Sequence, residues 1–231
     1  MKNLLNVGEV ISYWGMCQEE GASLQRGMNY RLRGKHTLIL MSVRKNAPYA
    51  DRVEENGRIL IYEGHDVSRK KAPAPKLVDQ QRYEENNKLT QNGLFFDAAT
   101  EFKDGKRQAE MVKVYEKIRD GIWAYDGIFK LLDAWTDDSK GRKVFKFKLE
   151  VTDKGDHTNV NVRIDHNRLI PKEVKLEVWK RDKGRCVNCG SVENLHFDHI
   201  IPFSKGGSSF DAKNIQILCS KCNLAKHDKI E

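Results

Sequence analysis

The sequence predicts an α+β protein in two parts: a strand-rich domain over residues 1–155 and a small zinc-stapled domain over 171–231, with a linker at 156–170. Phe145, Phe147, Leu149 and Val151 alternate with charged residues, the period of a strand with one buried face. Two CxxC pairs, Cys186/Cys189 and Cys219/Cys222, sit near the end at metal-ligand spacing. Between them, polar residues from Asp153 to Asn167 break both patterns and mark the boundary.

Taken in order, Thr37 to Val43 is apolar and β-prone, and Arg58 to Tyr62 reads as a strand after Gly57. Residues 107–120 place Met111, Val114, Tyr115 and Ile118 at helical spacing, with Gly121 as a stop, which predicts a helix. Ile122 to Trp135 is strand-like, and residues 137–141 turn the chain into the alternating run Lys143–Val151, a hairpin. A further helix is expected from Pro171 to about Lys183, with Val174 and Val178 on one face and Gly184 ending it.

The formal charge of +8 is spread along the chain: residues 172–231 hold 11 Lys and Arg against 8 Asp and Glu, and the rest holds 30 against 25. Two basic parts suit joint binding of one polyanion, and a merely soluble surface is the bland alternative. The apolar stretch Leu38–Met41 is far below the roughly 18 residues of a membrane span, and the first residues lack a signal-peptide core. A soluble, cytoplasmic protein with no membrane partner is expected. In that setting paired cysteines read as metal ligands before disulfides, and the lone Cys17 reads as a small core residue.

Four thiolates suit a tetrahedral Zn²⁺ and fill it, leaving no position for water or substrate. The expected zinc is structural, a staple that a fold of about sixty residues needs. Chemistry must then lie between the cysteine pairs, where Asp198-His199 follows a short β-like run and precedes a Gly-rich loop, Asn214 and Asn223. His196, two residues before Asp198, shares its strand face and reads as an outer partner or an exposed polar residue. His227, four residues after Asn223, reads as an alternative metal ligand or, again, an exposed residue.

The stretch DHIIPFSKGG…NIQILCSKCNLAK resembles the HNH endonuclease family in its zinc-ribbon form, over Pro171 to about Lys229. The resemblance implies a ββα-metal fold with a catalytic divalent ion, Mg²⁺ or Mn²⁺, with Co²⁺ or Ni²⁺ as substitutes. It implies His199 as general base, Asp198 and Asn223 as ligands of that ion, and Asn214 orienting His199. The residue types fit, since a hard cation takes oxygen ligands and an imidazole titrates near neutral pH. A zinc ribbon that only binds DNA needs the cysteines but has no use for these four residues.

Residues 47–66 (APYADRVEENGRILIYEGHD), 79–89 (DQQRYEENNKL) and 123–151 (WAYDGIFKLLDAW…GRKVFKFKLEV) resemble, in order and spacing, the SRA or YDG domain. That resemblance implies a curved β-barrel with flanking helices that flips 5-methylcytosine or a relative out of duplex DNA. It implies Tyr49 and Tyr62 as stacking partners and Asp51 as reader of the cytosine amino group. The chain departs from the pattern by one extra residue between the tyrosines and by Arg52 in place of a second acid. Tyr125 and Asp126 of the YDG triplet are expected to shape the domain, and Arg26, Arg31 and Lys35 around Tyr30 to meet phosphate or solvent.

Flipping costs a few kcal/mol, and stacking returns about 1–3 kcal/mol per base contact. The pair of domains resembles the bacterial modification-dependent restriction endonucleases, which implies double-stranded DNA with modified cytosine as partner, and a homodimer. A repair or homing type HNH enzyme indifferent to modification, and a non-catalytic binder of modified DNA, remain open at this stage.

Overall fold

The computed structural model describes residues 5–43, 47–152, 169–202 and 205–226. Eight strands form one sheet: β1 (Val10–Ser12), β2 (Met28–Leu32), β3 (His36–Met41), β4 (Arg52–Glu54), β5 (Ile59–Glu63), β6 (Glu110–Arg119), β7 (Ile122–Ser139) and β8 (Arg142–Val151). Their order is β2-β3-β6-β7-β8-β5-β4, with β1 on the early part of β7, and only β3 and β6 pair in parallel. Two helices flank it, α1 (Tyr13–Glu20) and α2 (Gln91–Lys103).

The long hairpin β7–β8 is the spine, and its turn is where the sequence placed one. Ser139 pairs with Arg142 across two residues, Lys140 and Gly141, at φ 53° and 79°. Both central residues lie in the left-handed region that a tight two-residue hairpin requires, which favours glycine at the second position. Phe145, Phe147, Leu149 and Val151 bury the predicted face.

The helix expected over 107–120 is a strand, β6. The register shift between Val114 and Tyr115 leaves its extra residue, Asp126, in β7, so β6 keeps its alternation, and the apparent helical spacing arises because apolar residues occupy both of its faces. Both faces are covered: Val112 and Val114 enter the main core, Tyr115 a second cluster and Ile118 a third. The real helix, α2, went unread. Thr90 caps it through the Gly93 N–H, and Phe95, Ala98 and Ala99 pack into the main core against Phe129 and Phe147.

The C-terminal part is α3 (Lys172–Arg181), β9 (Leu195–His199), β10 (Ile215–Cys219) and α4 (Ser220–Lys226), a ββα motif preceded by a helix. Helix α3 begins one residue after Pro171 and ends before Lys183. No helix among the described residues is long and apolar enough to cross a membrane.

The two parts share a core. Ile118 and Ala124 of the large sheet pack in one cluster with Val174, Val178, Phe197 and Ile217. The N-terminal segment threads the joint: Gly8 N–H donates to the Tyr125 carbonyl (2.8 Å), and the Gly8 carbonyl accepts from Phe197 N–H (3.0 Å). A side chain at Gly8 would stand 2.6 Å from the Phe197 carbonyl, so only glycine lets the chain pass so close. The expected linker at 156–170 lies largely outside the described residues. Its last two, Leu169 and Ile170, are packed, one in each core.

At the centre of the joint Lys175 of α3 is fully enclosed, its Nζ 2.8 Å from Glu116 and 2.5 Å from Asp126 of the sheet. Burial pushes the Asp126 carboxyl up to about 7 against the pull of Lys175, with Glu116 adding to the rise. Two carboxylates thus face one ammonium, and Asp126 Oδ2 has no hydrogen-bond partner. Removing one member of a buried pair strands the others, at a cost of about 3–5 kcal/mol. Lys175→Ala is therefore expected to lower stability by about that amount in urea unfolding followed by tryptophan fluorescence, with both parts losing structure together.

Candidate active site and aromatic pocket

The four cysteine sulfurs lie within 4.8 Å of one another, with Cys189 and Cys219 Sγ 3.6 Å apart. Thiolates around a tetrahedral zinc stand about 3.8 Å apart, so the donor set and its spacing fit such an ion. Within the cluster, desolvation is outweighed by backbone N–H groups of Cys219, Cys189 and Asn188, which lower the Cys186 thiol to about 6, while the neighbouring thiols raise Cys189 and Cys222. The first pair stands after α3 and the second ends β10 and enters α4, so one ion would tie helix to hairpin.

Asp198 and His199 end β9, and Asp198 pairs in register with Gln216 of β10. Asp198 Oδ2 accepts from Lys226 Nζ (2.6 Å) and, more weakly, from Gln216 Nε2 (3.4 Å). Lys226 also bonds the His199 carbonyl and is almost fully buried. Asn223 sits one helical turn before Lys226, so α4 presents both to the same side.

His199 Nε2 lies 2.9 Å from the Ser209 hydroxyl, which fixes the ring. The Asn214 side chain is engaged with the loop backbone and not with that ring: Oδ1 accepts from Ile201 N–H (2.8 Å), and Nδ2 donates to the Ile201 and Ser208 carbonyls (3.0 and 3.1 Å). It thereby holds the segment that carries Ser209. Gly207 completes this loop, since a Cβ there would fall 1.8 Å from the Ile201 carbonyl oxygen. His196 is neither exposed nor bonded to Asp198. It is buried, with Nε2 2.9 Å from Ser220 Oγ, and burial lowers its pKa. His227 lies outside the described residues.

Sequence reading passed over Lys226, Ser209 and Arg181. Arg181 donates to the Ala212 and Ile215 carbonyls (both 2.7 Å) and so locks α3 against the start of β10. A lysine at the end of a helix and a serine in a loop have no spacing signature of their own.

In the large sheet, Tyr49, Asp51 and Tyr62 come together in the wall of a cavity of about 440 Å³, with Tyr13, Arg26 and Trp123. Tyr62 is both wall and core, since its ring is buried in the main cluster. Asp51 is buried, its oxygens accepting from Glu63 N–H (3.0 Å) and Ser42 N–H (3.2 Å). Desolvation pushes its carboxyl up to about 7 in spite of those bonds. His65, which no motif had singled out, stacks on Tyr49 (5.3 Å between centroids, 14° between planes) and places Nε2 3.1 Å from the Tyr62 hydroxyl.

Tyr125 and Asp126 do shape the domain, as expected: Tyr125 packs on Tyr115 in the core, and Asp126 is the partner of Lys175. Among the basic residues, Arg31 pairs with Glu110 (3.3 Å), while Arg26 lines the cavity.

Two family models match the chain, the SAD/SRA domain over residues 3–154 and the HNH endonuclease over 186–229. Among solved structures, the SRA domain of SUVH5 with hemi-methylated CG DNA is similar at 24% identity and a TM-score of 0.47, over 66% of this chain and 92% of that one. The same domain bound to fully hydroxymethylated CG DNA matches at 24% identity and 0.46, over 64% and 89%. The modification-dependent TagI restriction endonuclease matches at 20% identity and 0.40, over 96% of this chain and 78% of its own. No curated protein sequence matches.

Loss of one cysteine ligand should leave the hairpin–helix unit without its staple. Cys219→Ser, or a strong chelator on the intact protein, is expected to lower Tm by about 10 °C or more, with one zinc per chain released in a colorimetric assay.

Proposed function

Because the chain belongs to the SAD/SRA domain family and carries an HNH endonuclease domain in the same polypeptide, we propose that it is a modification-dependent DNA endonuclease. It flips 5-methylcytosine or 5-hydroxymethylcytosine out of duplex DNA and hydrolyses a nearby phosphodiester, in restriction of modified foreign DNA in a bacterial cytoplasm. The observation that carries the reading is that an aromatic pocket with a buried carboxylate and an Asp-His hairpin end stand in one chain, in two parts that pack against each other.

On this reading the basic surfaces hold the phosphate backbone, with affinity that falls as salt rises. Tyr49 and Tyr62 stack the base, and Asp51 accepts from its exocyclic amine. Thymine, lacking that donor, would leave a buried carboxylate unpaired and is rejected. In the nuclease half, His199, held by Ser209, takes the proton of the attacking water. Asp198 and Asn223 would hold a divalent ion, Mg²⁺ or Mn²⁺, which would supply charge stabilisation to the phosphate oxygens. Asn214 is a positioning residue, keeping the Ser209 loop in place. Zn²⁺ on the four cysteines is structural. One such site cuts one strand, so a double-strand break takes a homodimer.

The test is cleavage of one fragment prepared with plain, 5-methyl-, 5-hydroxymethyl- or glucosylated cytosine, in Mg²⁺ or Mn²⁺. Cutting confined to modified fragments and reduced by a factor of about 10² or more in His199→Ala is expected. Equal cutting of all four would discard the base pocket, and binding without cutting in any divalent metal would discard the nuclease.

A second prediction follows from Asp51. Its carboxyl is raised to about 7, so the ionised acceptor becomes dominant as pH rises through that value. An amine donating to a charged oxygen makes the stronger bond. Affinity for modified DNA should therefore rise between pH 6 and pH 8 and then level off, as read by fluorescence anisotropy with the His199→Ala protein. The rise should vanish in Asp51→Asn.

A further inference from the structure

His65 and Arg26 stand together at the wall between two cavities. Both line the 440 Å³ cavity of Tyr49 and Tyr62, and both also line a neighbouring cavity of about 720 Å³. The second cavity carries Ser68, Gln81 and Glu84 on its walls, hydroxyl, amide and carboxylate groups of the kind that pair with sugar hydroxyls.

The backbone of His65 is held by side-chain hydrogen bonds, and its ring by aromatic neighbours and a single hydrogen bond. The buried Asn92 side chain clamps the backbone at both ends, Oδ1 accepting from the His65 N–H and Nδ2 donating to its carbonyl, each at 2.8 Å. Gln80 holds the preceding Gly64 carbonyl at 2.6 Å. The ring itself stacks on Tyr49, lies tilted against the Tyr62 ring (6.3 Å between centroids) and makes one hydrogen bond, with the Tyr62 hydroxyl. Gly27 leaves room for that bond, since a Cβ there would stand 2.8 Å from Nε2 and 3.0 Å from the tyrosine hydroxyl. Burial lowers the imidazole to about 4, which favours the neutral ring.

An aromatic base stacking on Tyr49 replaces what the imidazole offers that ring, so the stack is exchanged and not simply lost. We propose that His65 is a movable partition that sets the size of the C5 substituent the base pocket accepts. Turned aside, it joins the two cavities and admits cytosines carrying a polar substituent larger than methyl, hydroxymethyl and its glycosylated form. The proposal rests on the base-pocket reading of Tyr49, Asp51 and Tyr62.

The experiment uses the full-length protein and the same four fragments, with His65→Ala and His65→Phe beside the parent. Removing the ring should raise the ratio of glucosylated to methylated cleavage by about tenfold, and the larger apolar ring of phenylalanine should lower it by a similar factor. The ratio reports selectivity even where a variant is less stable, and the two substitutions move it in opposite directions. An unchanged ratio in both, with the parent still preferring modified DNA, overturns the partition and leaves the base pocket standing. Equal cutting of plain and modified fragments by the parent removes the pocket reading and the partition with it.

Discussion

Everything in this molecule hangs on one buried lysine. Lys175 reaches from α3 into the large sheet and pairs with both Glu116 and Asp126 in a place water does not enter. A buried ion pair is a poor source of net stability but a strict specifier of geometry, because any sliding of α3 would leave charges unpaired. The apolar cluster around it and the N-terminal segment hydrogen-bonded on both sides turn that specification into a rigid contact. The glycine-tyrosine-carboxylate chemistry of the YDG triplet is thus spent on the joint: Tyr125 in the core, Asp126 on Lys175, and Gly127 at φ 98° against Val7.

This joint changes what the connection between the halves does. From sequence, a polar stretch implied a tether whose reach would set the distance between reading and cutting. In the structure, Leu169 and Ile170 are inside the two cores, and the hairpin β9–β10 lies against the N-terminal segment. The distance between the aromatic pocket and Asp198-His199 is then a property of packing. The four-cysteine cluster, which could hold a zinc ion, serves the same end within the small domain, tying helix to hairpin beside its apolar residues.

What was legible in the sequence followed from fixed local rules. The CxxC pairs, the alternation of Phe145, Phe147, Leu149 and Val151, and the turn at Lys140-Gly141 each have one conformation that satisfies them. The Asp198-His199 pair and the three tyrosine-bearing segments stood out by their resemblance to known families. What was not legible depended on contacts far apart in the chain. Strand β6 buries apolar residues on both faces, Val112 and Val114 on one and Tyr115 on the other, and that double burial reads as a helical period. Helix α2 hides its apolar face among polar neighbours, and His65, Lys226 and Ser209 matter only because tertiary packing brings them to Tyr49, Asp198 and His199.

The central claim is that reading and cutting are held in one rigid body. The most direct measurement maps cleavage at nucleotide resolution on a long duplex carrying a single modified cytosine. Cuts confined to one or two adjacent bonds on each strand, at a constant distance from that base, are the result this packing predicts. A ladder of cuts spread over many bonds around the base, as a free tether would give, would contradict it.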